Sequence, residues 1–163
     1  MKREIVLSAL AALLLSGAAQ ADYSGRQIGS WVTKAREDRF GDGGSYIALT
    51  TSGGAALGVR CIGKTLSLAM MELGDYARPI NEGDRFEFKF RVDKGEVVAL
   101  SGVAIGGRLI QIAAPRSLVR AMREGKETAM RVETADGVSA VVVFQMLGAP
   151  KAFADLAREC GLD

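Results

Sequence analysis

The sequence predicts a mainly β domain: an antiparallel β-sandwich of about 8 to 10 short strands with two short helices, the last one clamped to the sheet by a disulfide. Three observations predict it. Glycine is abundant and proline scarce, 20 against 3 in 163 residues. The glycines fall between short apolar stretches, which is turn punctuation and not a flexible linker. Phe86, Phe88, Phe90 and Val92 alternate strictly with Arg85, Glu87, Lys89, Arg91 and Asp93. That pattern demands a strand with one face buried and the other wet. Only two segments carry apolar residues at helical spacing.

The elements follow in order. Ser30 to Lys34, with Trp31 and Val32, reads as a first strand, and Arg36 to Ser45 as a polar, Gly-rich loop. Tyr46 to Thr51 is a strand, and Ser52-Gly53-Gly54 turns the chain. Leu57 to Ile62 and Thr65 to Glu72 form a hairpin about Gly63-Lys64, with Leu66, Leu68 and Met70 on one face. After Arg85 to Asp93, Lys94-Gly95 leads into Glu96 to Ser101, and Arg108 to Ala113 follows Gly106-Gly107. Pro115 opens a helix to about Glu124, with Leu118, Val119 and Met122 as its apolar stripe. Thr128 to Thr134 and Val138 to Met146 make a hairpin about Asp136-Gly137, a strong two-residue turn signal. The last helix runs from about Pro150 to Cys160, with Phe153, Leu156, Ala157 and Cys160 on one face and Gly161 as its stop.

The N-terminus does not belong to that domain. Lys2 and Arg3 precede an apolar run from Ile5 to Leu15, and Ala19-Gln20-Ala21 is an A-x-A cleavage pattern. The run is far short of the ~20 residues a spanning helix needs. No Cys follows it to take a lipid. Residues 1–21 read as a cleaved signal peptide and 22–163 as one periplasmic β-rich domain. The mature chain then keeps 142 residues, 19 basic and 18 acidic. That balance argues against general nucleic-acid binding.

Cys61 and Cys160 are the two cysteines. Export permits a disulfide, and an even count fits one bridge. Cys61 shares a strand face with Leu57 and Val59, and Cys160 lies on the apolar face of the last helix. A bridge would clamp that helix onto the sheet. The alternative is two buried free thiols.

Few residues carry a chemical signal. Gly58 to Thr65, GVRCIGKT, matches the P-loop pattern formally. Val59, Arg60, Cys61 and Ile62 alternate as a strand does, so a hairpin is expected there and no nucleotide. No histidine occurs anywhere. That removes His-based triads and zinc sites with His ligands. No cofactor is expected. Glu37, Asp38 and Asp42 gather in the Gly-rich loop, where they offer oxygen ligands or an acid–base pair. Their spacing does not match an EF-hand, and a solvated loop is the simpler reading. Arg116, Arg120 and Arg123 form a basic stripe opposite the apolar one, fit for an acidic partner or for a solvated face. Trp31 is either core or a stacking platform for a ligand.

Several strings resemble a known family. Trp31-Val32, the acidic region around Asp38, ALGVRCIGKTLSLAM from Ala56 to Met70, FKFRVD from Phe88 to Asp93 and VFQMLGAPKAFADLARECG from Val143 to Gly161 are similar, in order, to the VasI family of type VI secretion-associated proteins. That family has an L-x-V-R-C segment, a Y-R-[ILV]-D strand and a closing strand, Gly, helix and Cys. The layout also resembles, more weakly, the invasion-associated locus B family. The resemblance implies a non-enzymatic envelope protein whose Arg-Cys cysteine is bridged to a C-terminal one, and it implies no catalytic residues.

The expectation is therefore a non-enzymatic periplasmic binding or accessory protein of the cell envelope, associated with a secretion system. Its partner is an envelope protein, met by Arg116, Arg120, Arg123 and Trp31. The alternative is an envelope hydrolase using acidic residues of the Arg36 to Ser45 loop.

Overall fold

The computed structural model describes residues 25–38, 40–41, 43–73, 80–133 and 139–162. The leader, Asp42 and the Asp136-Gly137 turn lie outside the described residues. Ten strands run in chain order: β1 (Arg26–Ile28), β2 (Trp31–Arg36), β3 (Ser45–Ser52), β4 (Ala55–Ile62), β5 (Thr65–Leu73), β6 (Arg85–Val92), β7 (Val97–Ala104), β8 (Leu109–Ala113), β9 (Glu127–Glu133) and β10 (Ser139–Gln145). Helix α1 (Arg116–Glu124) lies between β8 and β9, and α2 (Ala149–Ala152) and α3 (Ala154–Cys160) follow β10.

All ten strands join one antiparallel sheet, in the order β1-β2-β3-β4-β5-β8-β7-β6-β9-β10. The mainly β, antiparallel architecture is found as expected, with its strands hydrogen-bonded into one continuous sheet. It coils until its ends meet, and the Ser30 N–H donates to the Leu147 carbonyl at 2.9 Å. β10 also comes close to β3. Closure of this kind follows from the twist that every long sheet accumulates.

Turn chemistry sets the hairpins. Gly63 and Lys64 both adopt positive φ, 53° and 65°, the pairing a tight β4–β5 turn requires. Asp93 also takes a positive φ, 49°. Its Oδ1 accepts the N–H groups of Lys126 and Glu127, each at 3.0 Å, and so fixes the start of β9 beside the β6–β7 turn.

The inward residues of the strands make one core with the helices. Phe86, Phe88 and Phe90 are buried, with successive ring centroids 6.4 and 6.0 Å apart. Full burial of such a side chain stabilises by roughly 1.5–3 kcal/mol. Leu118, Val119 and Met122 bury the apolar stripe of α1 as expected. The closing helix differs from the sequence reading. It is two pieces, broken at Phe153 (φ −94°, ψ 2°). The break lets Phe153 dive into the core while Leu156, Ala157 and Cys160 still face the sheet. Gly161 stops α3 in the left-handed conformation, φ 63°. Among the described residues, no helix is long and apolar enough to cross a membrane.

Candidate functional site

The disulfide joins Cys61 on β4 to Cys160 on α3, with Cα atoms 6.0 Å apart. Both cysteines are buried. The strand-face and helix-face readings of the two residues therefore converge, and no free cysteine remains. The bridge fixes the end of α3 beside the β4–β5 turn and the loop at 37–44, and a cleft opens there.

Arg36, Glu37, Asp38, Phe40, Gly43, Gly44, Ser45, Ile62 and Gly63 line the cleft, which holds about 690 Å³. Its loop is held by local bonds. Asp38 Oδ1 accepts the Phe40 N–H at 3.1 Å, an Asx-type turn. The Gly63 N–H donates to the Gly44 carbonyl at 3.1 Å and ties the loop to the β4–β5 turn. Gly43 has φ 99°, and a Cβ there would press on Glu159 Oε1 and the Gly63 backbone, each at about 3.1 Å. Glycine is required where three segments meet. The loop presents Phe40 at 91% exposure, and Ile62 opposite is 46% exposed. An exposed phenylalanine and isoleucine at a cleft mouth form an apolar pair on a polar rim.

Tyr46 stands behind this cleft. Its ring packs so closely under Gly44 that a Cβ on Gly44 would collide with it. Partial burial, then the negative fields of Glu159 and Glu37, push the Tyr46 phenol above its ordinary pKa. A second, smaller groove of about 270 Å³ lies on its other side, between β1–β3 and α2–α3, with Arg26, Lys34 and Lys151 at its rim. Glu159 Oε1 is buried and has no hydrogen-bond donor among the described residues.

The other sequence candidates sit elsewhere. Trp31 is fully buried, with its ring edge-on to Phe153 at 4.7 Å. It cannot stack on a ligand from that position, so the partner-binding expectation for Trp31 is corrected to a core role. Arg116 Nε donates to the Cys160 carbonyl at 3.2 Å, and Arg120 Nε to the Leu162 carbonyl at 2.8 Å. Two of the three stripe arginines therefore hold the C-terminal segment, and Arg123 is engaged as well. The GVRCIGKT string forms β4, a turn and the start of β5, and residues 65–73 are strand. Of the acidic loop, Glu37 and Asp38 line the cleft, while Asp42 lies outside the described residues. No cluster of three metal-binding side chains occurs among the described residues. Phe40 and Ile62 were missed by sequence reading. A lone phenylalanine in a glycine-rich polar loop was the available signal.

No family model and no curated protein matches the chain. A search of solved structures finds similarity to the invasion associated protein b from Bartonella henselae, with a TM-score of 0.57 and 16% identity. The match covers 82% of this chain and 96% of that one. It is a likeness of fold, to a protein bearing the name of the second family that the sequence resembles.

Proposed function

We propose that this chain is a non-enzymatic binding or accessory protein of the bacterial cell envelope, and that it meets its partner at the cleft beside the disulfide. The observation that carries the reading is Phe40, 91% exposed at the cleft with its N–H bonded to Asp38. Exposing a large aromatic beside a cleft gains nothing for folding, and aromatic anchors of this kind dominate protein interfaces. Export is supported by the leader pattern of residues 1–21 and by a disulfide buried in the core. Association with a secretion system rests on the VasI-like motifs alone.

A photo-crosslinking amino acid at position 40, in cells making the full chain, tests the reading. A discrete envelope protein crosslinked from position 40, and not from the exposed Val141 on β10, is the expected result. No adduct from position 40 would sink it. Intact mass of the purified protein tests export separately, since a chain starting at Asp22 is required.

A second reading draws on the carboxylates of Glu37 and Asp38 in the cleft. An envelope hydrolase needs one of them as a general acid or base. Asp38 is occupied in holding the loop through the Phe40 N–H, which favours the binding role. Release of soluble fragments from purified cell wall by the wild type, lost in Asp38→Asn, would reverse that order.

A further inference from the structure

The sheet exterior is of two kinds. β6 turns Arg85, Glu87, Lys89 and Arg91 to the outside, as a face open to water should. β3, β4 and β5 do not. Strand register sets Ile47 beside Arg60 and Ser67 in one outward row, and Leu49 beside Gly58 and Ala69 in the next. Along β4 and β5 the one outward charge among the described side chains is Arg60.

Arg60 lies across the sheet instead of standing off it. Its Nη2 donates to Ser67 Oγ at 3.2 Å and to Gln111 Oε1 at 3.1 Å, so the side chain reaches from β4 over β5 to β8. Ser67 and Ala69 point outward and are nevertheless buried, at 6% and 1% exposure. The guanidinium itself is half-buried, and its Nε is buried with no acceptor among the described residues. Among the described residues it has no carboxylate partner. Burial alone pushes its pKa below the ordinary arginine value. Half-burying a cation without a counter-ion is costly, and a glutamine or leucine would lie against Ser67 without that cost.

We propose that the outer face of β3–β4–β5 around Arg60 is a docking surface for a protein segment that presents a carboxylate flanked by apolar side chains. The carboxylate pairs with the remaining guanidinium donors on Nη1, and the apolar flanks cover Ile47 and Leu49. Lys34 stands beside Ile47 in the same outward row but is exposed. Arg60 is the half-buried cation, and a half-buried guanidinium with donors to spare suits a single carboxylate that a protein segment brings against the face. This face adjoins the cleft, because Ile62 follows Arg60 by two residues on the same side of β4. It does not depend on the cleft being used.

The test is chemical-shift mapping of the ¹⁵N-labelled mature chain with acetyl-Leu-Glu-Leu-amide, beside acetyl-Leu-Gln-Leu-amide. The Glu peptide should shift the amides of Gly58, Arg60, Ser67 and Ala69. The Gln peptide should bind about tenfold more weakly or worse, and Arg60→Gln should weaken the Glu peptide as much. Phe40→Ala should leave this binding unchanged, which separates the face from the cleft. Should Arg60→Gln lose its dispersed spectrum, lowering pH through the peptide carboxyl's ordinary value of about 4.3 must release the peptide from the wild type. Equal binding of the two peptides, shifts mapping elsewhere or no shifts would overturn the proposal. Shifts of the same amides on dilution of the protein alone would also overturn it, by assigning the face to a second copy.

Discussion

Arg116 Nε lies 3.2 Å from the carbonyl oxygen of Cys160, the residue whose sulfur is bonded to Cys61. One residue at the end of α3 is therefore held from two directions, by a covalent bond to β4 and by a cation from α1. A cation at a helix C-terminus also opposes the partial negative charge there.

The covalent hold is the stronger. The bridge spans 99 residues of sequence, and the chain-entropy model gives ~4.7 kcal/mol for a loop of about that length. Cys160→Ser should destabilise by roughly 2–5 kcal/mol, typical of a small secreted domain. Thermal melts of the wild type and the variant, each with and without reductant, check this. An unchanged melting temperature in the variant would mean that the bridge is idle.

The ionic hold is weaker but measurable. Arg120 Nε donates to the Leu162 carbonyl at 2.8 Å, and hydrogen bonds from charged donors contribute ~1.5–3 kcal/mol. The Arg120 side chain is exposed in part, so Arg120→Gln should cost nearer ~1 kcal/mol. Urea unfolding should show a lower midpoint with an unchanged slope. A stripe that served only a partner would leave the midpoint where it is.

Much of this architecture is written in local pattern. The Phe86-Phe88-Phe90 alternation, the Gly63-Lys64 turn and the face shared by Leu156, Ala157 and Cys160 each depend on near neighbours, and each is found as read. What local pattern does not reveal depends on distant residues. β1 is three residues long and exists because β2 pairs with it. The continuous sheet depends on β5 pairing with β8 instead of β6, a crossover no periodicity reveals. Trp31 was ambiguous because alternation says which residues share a face, and not that Phe153 would come from the far end of the chain to cover it. Arg116 and Arg120 looked like a free stripe for the same reason, since their acceptors lie more than 40 residues away. Of the site, the acidic loop was legible as a loop. The cleft was not, because its other wall is Ile62-Gly63, brought up by the β3–β4 register.

Sheet closure makes a sharp prediction at Gly29. It has φ 59°, in the β1–β2 turn, and a Cβ there would collide with the Leu147 carbonyl, the group that accepts the Ser30 N–H. Alanine is strained at that φ whatever the space, and here the obstacle is backbone that cannot swing aside. Gly29→Ala should cost about 2 kcal/mol or more. Gly53, also at positive φ but with open space around it, is the control. Its alanine variant should lose only the conformational cost of the left-handed region, roughly 1–2 kcal/mol. Equal losses at the two positions would mean that closure at Leu147 contributes nothing.

The exterior of β6 and β9 carries a pH dependence. Lys89 Nζ on β6 lies 2.9 Å from Glu133 Oε1 on β9. The hydrogen bond from Lys89, then its charge, lowers the Glu133 pKa. A carboxylate with a depressed folded-state pKa contributes stability that is fully present above its unfolded value, about 4.3. That contribution fades as pH falls through the folded value. The Glu133 side-chain carbon should thus titrate below the ordinary glutamate range by NMR, and Lys89→Gln should return it upward. Acid unfolding should correspondingly lose a little of its steepness in Lys89→Gln. The pair is solvent-exposed, so salt should shrink the effect as it screens the two charges. A Glu133 titration that is the same with and without Lys89 would show that the pair does not persist in solution.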